Sequence, residues 1–180
     1  METHKEVRDQ MSNLIQGRAW KLGDDVNTDL IIPGKYKLNI TSIDELSRHA
    51  MEGVDPHFVD KFRKGDLIVA GKNFGCGSSR EQAPLVLKHI GAGATIARSF
   101  ARIFYRNSIN VGLPAVECRS VDKISDEDLL RVDVEAGVIR NLTREDTYQI
   151  KSFPTELWQI LSEGGLVRYV KKHGTLPWQT

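Results

Sequence analysis

Cysteine is scarce in this chain of 180 residues. Cys76 and Cys118 are the only two, and no CxxC pair occurs, so a disulfide framework and a closed four-cysteine metal site are both excluded within one chain. The histidines (His4, His49, His57, His89, His173) are scattered without HExxH or His-x-His spacing. A metal centre held by this chain alone is therefore not expected, and any metal in its chemistry must come with a partner. Neither sign of charge is in excess. Lys plus Arg number 25 against 24 Asp plus Glu, which removes the basic footprint of a dedicated nucleic-acid or anionic-membrane binder. No apolar run approaches the roughly 18 residues of a membrane-spanning helix, and the opening METHKEVRDQMSNLIQG lacks the apolar segment of a signal peptide. A cytoplasmic protein is expected.

What is present is one ordinary core's worth of sequence, 40% hydrophobic and 27% charged, without repeats or linkers. Residues 1–16 are polar with weak periodicity and read as an N-terminal extension with room for a short helix; a single domain is expected over 17–180. RAWKLGDDVNTDLIIPGKY reads as strand, turn, strand, with Leu30, Ile31 and Ile32 a short buried run ended by Pro33 and Gly34. TSIDELSRHAM places Ile43, Leu46 and Ala50 at helical spacing after Ser42, with Glu45 where a capping box puts it. DPHFVDKFRKG reads as a further short helix, and DLIVAG as a buried strand. Helices are predicted from Ala83 to Ile90 and over SFARIFYRNSINVG, closed by Gly112 and Pro114. Strands are expected at ATIA, PAVECR, LLRVDVEAGVIRN and TYQIKSF, and a closing helix pair at ELWQILSEGGLVRYVKKHG. The fold class is mixed α/β.

The densest chemistry lies in GKNFGCGSSREQAPL, residues 71–85, at a strand-to-helix junction. Gly71, Gly75 and Gly77 permit positive φ and close backbone approach. Ser78 and Ser79 fall where a helix N-cap belongs, with Glu81 and Gln82 at capping-box spacing. Arg80 is a forked donor for a carboxylate or phosphate, and Pro84 requires the helix to start close by. A P-loop is excluded because no lysine separates Gly77 from Ser78; a GxGxxG loop and a GxSxG nucleophile elbow both fail at Arg80. On the residues alone, an anion site and a plain tight turn with a capped helix both stand.

The string NFGCGSSREQA resembles the signature of the smaller, swivelling domain of the aconitase superfamily, DDVNTDLIIPGKY resembles that domain's opening stretch, and GAGATIARSFARIFYRNSINVGLPAV resembles the segment after the serine loop. The resemblance implies a swivelling β/β/α domain, with mixed sheets and flanking helices like the aconitase C-terminal domain. Stand-alone chains of this length in that superfamily are small subunits of heteromeric hydro-lyases that dehydrate and rehydrate hydroxy di- or tricarboxylates. A [4Fe–4S] cluster is then held by a separate large subunit and not by this chain. By resemblance Ser78 is the general base and Ser79 and Arg80 hold a substrate carboxylate. Cys76 stands where other members carry glutamate and is not read as a cluster ligand.

In that superfamily the loop after the Ile-Ile-Pro stretch reads the substrate's variable group. Here it is PGKYKLNI: Tyr36 and Leu38 are candidates for the walls of an apolar pocket, while Lys37 is either a partner for an extra carboxylate or a solvated cation. Isopropylmalate is the first expected substrate, with methylmalate-type acids, dimethylmalate and homoaconitate open. Thr28 and Asp29 are read as turn residues beside the site, with a role toward an active-site arginine as the alternative. Arg98, Arg102 and Arg106 recur at intervals of four and are expected to form a solvated or subunit-facing stripe. Trp20, Trp158 and Trp178 are expected to be packing anchors.

Overall fold

The computed structural model describes residues 14–36 and 39–179. Among these residues, seven strands form one mixed sheet in the order β4-β3-β2-β1-β5-β6-β7. Strands β1 (Leu14–Lys21), β2 (Leu67–Ala70), β3 (Ala94–Ala97) and β4 (Ala115–Glu117) run parallel. Strands β5 (Leu129–Asp133), β6 (Val138–Asn141) and β7 (Asp146–Gln149) form an antiparallel meander on the other edge of β1. Their connections differ for a geometric reason: antiparallel neighbours need only a tight turn, whereas parallel neighbours need a crossover. β1 serves both halves in turn. Its residues Leu14–Arg18 pair with β5 and Ala19–Lys21 with β2. The strand thus takes in Leu14, Ile15 and Gln16, which the polar pattern assigned to the extension; a helix before residue 14 lies outside the described residues.

The runs LIVA and ATIA are buried at every position, as strands covered on both faces must be. Ile68, Ala70 and Ala97 face a cluster with Phe74, Val86, Leu87 and Phe104 on the helical side. Leu67, Val69, Ala94 and Ile96 join Leu130, Val132 and Ile139 of the meander, so the antiparallel half folds over the second face of the parallel half.

The helices are α1 (Thr28–Ile31), α2 (Ile43–Ser47), α3 (Phe58–Lys61), α4 (Gln82–His89), α5 (Arg102–Val111), α6 (Thr155–Ser162) and α7 (Leu166–His173). Residues 28–31 correct an expectation, because they form a helical turn where a strand was read. Asn27 decides this locally, since its side-chain oxygen accepts the Leu30 N–H at 3.0 Å and caps the turn. Ser42 caps α2 as expected, accepting the Glu45 N–H at 3.5 Å. Helix α5 starts later than its sequence pattern, at Arg102, because Phe100 is held extended in a bridge to Phe74. Trp20 packs on Phe58 with ring centroids 4.8 Å apart, and Trp158 packs against the second cluster. Trp178, at 61% exposure, is not an anchor.

Candidate active site

In a parallel sheet the loops that leave the carboxyl ends of neighbouring strands meet at one edge, where ligands bind. Here three such loops converge. The segment after β1 joins the loop after β2 through Gly71 N–H to Gly23 O at 3.0 Å, Gly75 N–H to Val26 O at 2.8 Å and Thr28 N–H to Cys76 O at 2.8 Å. The segment after β3 joins the same loop through Phe74 N–H to Ser99 O at 3.0 Å and Ala101 N–H to Phe74 O at 2.9 Å. Gly75, at φ +79, lies so close to Phe104 that a Cβ there would run into the ring, and Gly77 turns the chain at φ +92. Both positions need glycine.

Helix α4 begins at Gln82 after Glu81, and no side chain caps it. Neither Ser78 nor Ser79 is therefore an N-cap, which corrects the capping-box expectation. The reason is that the serines are still part of the loop tied to residues 27 and 28: the Thr28 hydroxyl donates to the Ser78 carbonyl at 3.0 Å. Both serines are exposed. Among the described residues no hydrogen bond engages either hydroxyl. Ser78 lines a cleft of about 450 Å³ between the loop and the first turns of α5, together with Arg80, Arg102, Ile103 and Arg106. Ser79 does not line it.

Arg80 is largely buried, with 13% of its side chain exposed. Its Nη1 donates to Asp29 Oδ1 at 2.6 Å and to the Ile32 carbonyl at 3.0 Å. Asp29 also accepts the Gly34 N–H at 3.1 Å, and Gly34 sits close enough that a Cβ would stand 2.9 Å from Arg80 Nη2. The Arg80 guanidinium, and after it the Gly34 N–H, holds the Asp29 carboxyl below its ordinary range. Of the two readings of Asp29, the geometry selects the one directed at an arginine: the carboxylate orients Arg80, whose other nitrogens meet no acceptor among the described residues.

The remaining candidates are placed elsewhere. The Tyr36 hydroxyl donates to Glu52, 2.9 Å from each carboxylate oxygen, and its ring stacks on His49 at 3.8 Å; it does not line the cleft. Lys37 and Leu38 lie outside the described residues. The expected arginine stripe divides. Arg98 precedes α5 and pairs with Asp122, whereas Arg102 and Arg106 face the cleft. That role was missed. The signal that would have found it is position, since Arg102 opens the helix that follows a parallel strand and Arg106 lies about one turn further along the same face.

Among the described residues no three His, Cys, Asp or Glu side chains gather as metal ligands. Cys118 is buried under the far face of the sheet, where burial pushes its thiol up, and Cys76 is half-buried. This donor set does not fit the [4Fe–4S] cluster that the superfamily resemblance implies. No helix of the described residues is long and apolar enough to cross a membrane.

Comparison with known proteins agrees with this arrangement. Residues 25–120 match the model of the Aconitase C-terminal domain. The chain is 54% identical over 162 residues to the methanogen homoaconitase small subunit of Methanothermobacter thermautotrophicus, covering 90% of this chain and 94% of that protein. It is 55% identical over 155 residues to the 3-isopropylmalate dehydratase small subunit 1 of Archaeoglobus fulgidus, covering 86% and 96%. The crystal structure of 3-isopropylmalate dehydratase from Methanocaldococcus jannaschii superimposes with a TM-score of 0.84 at 48% identity, covering 89% of this chain and 95% of that one. With the serine loop, its arginine and the mixed sheet all in place, this chain belongs to the aconitase C-terminal-domain family.

Proposed function

We propose that this chain is the small subunit of a two-chain hydro-lyase that interconverts 2- and 3-isopropylmalate, with Ser78 as the base that removes the proton beside a carboxylate and Arg80 as a carboxylate grip. One observation carries the reading: an unengaged serine hydroxyl and an oriented guanidinium line the same cleft. Isopropylmalate is preferred because Ala101, Ile103 and Phe104 give that cleft an apolar wall beside its cations, which suits a dicarboxylate carrying a branched alkyl group. Homoaconitate is the second reading, since one relative at 54% identity is a homoaconitase small subunit and the sequence offers Lys37, in the loop after Pro33, as a candidate cation for a third carboxylate.

Energetics require a partner. An alcohol as weakly acidic as water has a pKa of ~15.7, roughly nine units above neutrality, so at ~1.4 kcal/mol per unit its alkoxide costs on the order of 12 kcal/mol. A helix terminus returns at most ~2 kcal/mol. Ser78 is exposed to water in this chain alone. A large subunit that closes the cleft would exclude this water, and a cluster held there would supply Lewis-acid stabilisation of the substrate's developing charge.

The test is anaerobic co-expression with the cluster-bearing subunit, then assay of isopropylmalate, citramalate, dimethylmalate and homoaconitate. The complex should turn over isopropylmalate fastest and the isolated chain should be silent. Ser78→Ala should lower kcat by roughly 10²–10⁴-fold, the usual worth of a general base, with an unshifted melting temperature. An unchanged rate removes Ser78 from the mechanism.

A further inference from the structure

We propose that Arg102 and Arg106 form a second carboxylate grip in the cleft, taking the substrate carboxylate that Arg80 does not. The inference rests on the hydro-lyase reading and extends it to residues on a different element. Both arginines lie on α5, four positions apart, and so share one face of the helix. Both line the cleft that holds Ser78 and Arg80. Arg80 has Asp29 as its counter-charge, but among the described residues no carboxylate pairs with Arg102 or Arg106. The first turn of α5 contains no acidic residue, and no side chain caps its N-terminus, so the helix end adds positive potential to that wall. Three guanidiniums around one cleft with a single carboxylate between them repel one another until an anion enters. A short hydroxy diacid carries its two carboxylates on neighbouring carbons. When Arg80 takes one, the other remains within the same cleft, facing α5.

The fork matters as well as the charge. Guanidinium binds carboxylate through two parallel N–H donors, which lysine cannot reproduce. The variants Arg102→Gln, Arg106→Gln and Arg106→Lys should be examined in the two-subunit holoenzyme. Both glutamine variants should raise KM and the equilibrium dissociation constant for isopropylmalate roughly 10- to 100-fold, the worth of hydrogen bonds to a charged group. kcat should stay within about threefold, and Arg106→Lys should recover part of the affinity. The small subunit's affinity for the large subunit, measured by titration, should not move.

Unchanged KM and unchanged substrate binding in both glutamine variants would overturn the proposal. So would a loss of subunit affinity that accounts for the loss of activity, because the arginines would then be docking on acidic groups of the large subunit. Failure of the parent reading looks different. A wild-type complex that binds isopropylmalate through both arginines but does not turn it over would leave the grip standing and remove the assigned reaction.

Discussion

Asp29 and Asp128 each hold an arginine, but with the burial reversed. At the cleft the arginine is buried and the acid open: Arg80 is 13% exposed and Asp29 60%. Beside the antiparallel meander the acid is buried and the arginine open: Asp128 is 5% exposed and Arg144 48%. The buried member shows what each pair serves. Asp128 collects the Ser125 N–H at 2.8 Å, the Asn141 amide at 2.7 Å and Arg144 Nε at 3.1 Å, tying the approach to β5 to the turn after β6. Asp29 collects little beyond Arg80 and one backbone N–H, and its effect is to fix where a cation points. One carboxylate holds a fold together, and the other aims a side chain.

The sharpest way to break that contrast is Asp128→Ala. It leaves the Asn141 amide, 1% exposed, and a backbone N–H without their acceptor, and should cost about 3 kcal/mol of stability, at the upper end for leaving a buried donor unsatisfied. Thermal or urea unfolding reads this, and turnover per folded molecule should be unaltered. A cost below ~1 kcal/mol would abolish the distinction. The acid limb sharpens it further. Burial pushes the Asp128 carboxyl up, but its three donors outweigh burial and hold it below the ordinary range. The stability it contributes is therefore complete above the unfolded carboxylate pKa of ~3.9 and is lost as pH falls through the lower folded value. The gap between wild type and Asp128→Asn should shrink over that window.

A smaller effect is expected from Gly75→Ala, which drives a methyl toward Phe104 at positive φ. It should cost roughly 1–3 kcal/mol, and it should also lower activity, because the same contact spaces the serine loop from α5. Smallest in stability is Asp29→Asn. Its pair has an exposed partner, so the loss should stay under ~1 kcal/mol, while KM for substrate rises severalfold as Arg80 loses its orientation. A stability loss as large as that of Asp128→Ala would make the two pairs equivalent.

Much of the fold was legible because its signals are local. The runs LIVA and ATIA announce strands with two covered faces, Ser42 with Glu45 announces a helix start, and Gly112 closes α5. The misreadings share one cause. Leu30, Ile31 and Ile32 form too short an apolar run to distinguish strand from helical turn, and the Asn27 cap decided between them. Ser78 and Ser79 have capping-box spacing, but the ties from Thr28 and Asn27 keep them in the loop. The spacing of Arg98, Arg102 and Arg106 looked like one stripe until the bridge at Phe100 delayed the helix.

By itself the sequence determined most of the strand and helix order and the glycine-serine-arginine string at residues 76–80, because hydrophobic period, turn residues and capping act over a few neighbouring positions. Only the tertiary structure decided that Asp29 orients Arg80 and that α5 brings Arg102 and Arg106 opposite Ser78. Those pairings join residues tens of positions apart in the chain. They exist because three parallel strands deliver their loops to a single edge, a proximity that no local pattern encodes.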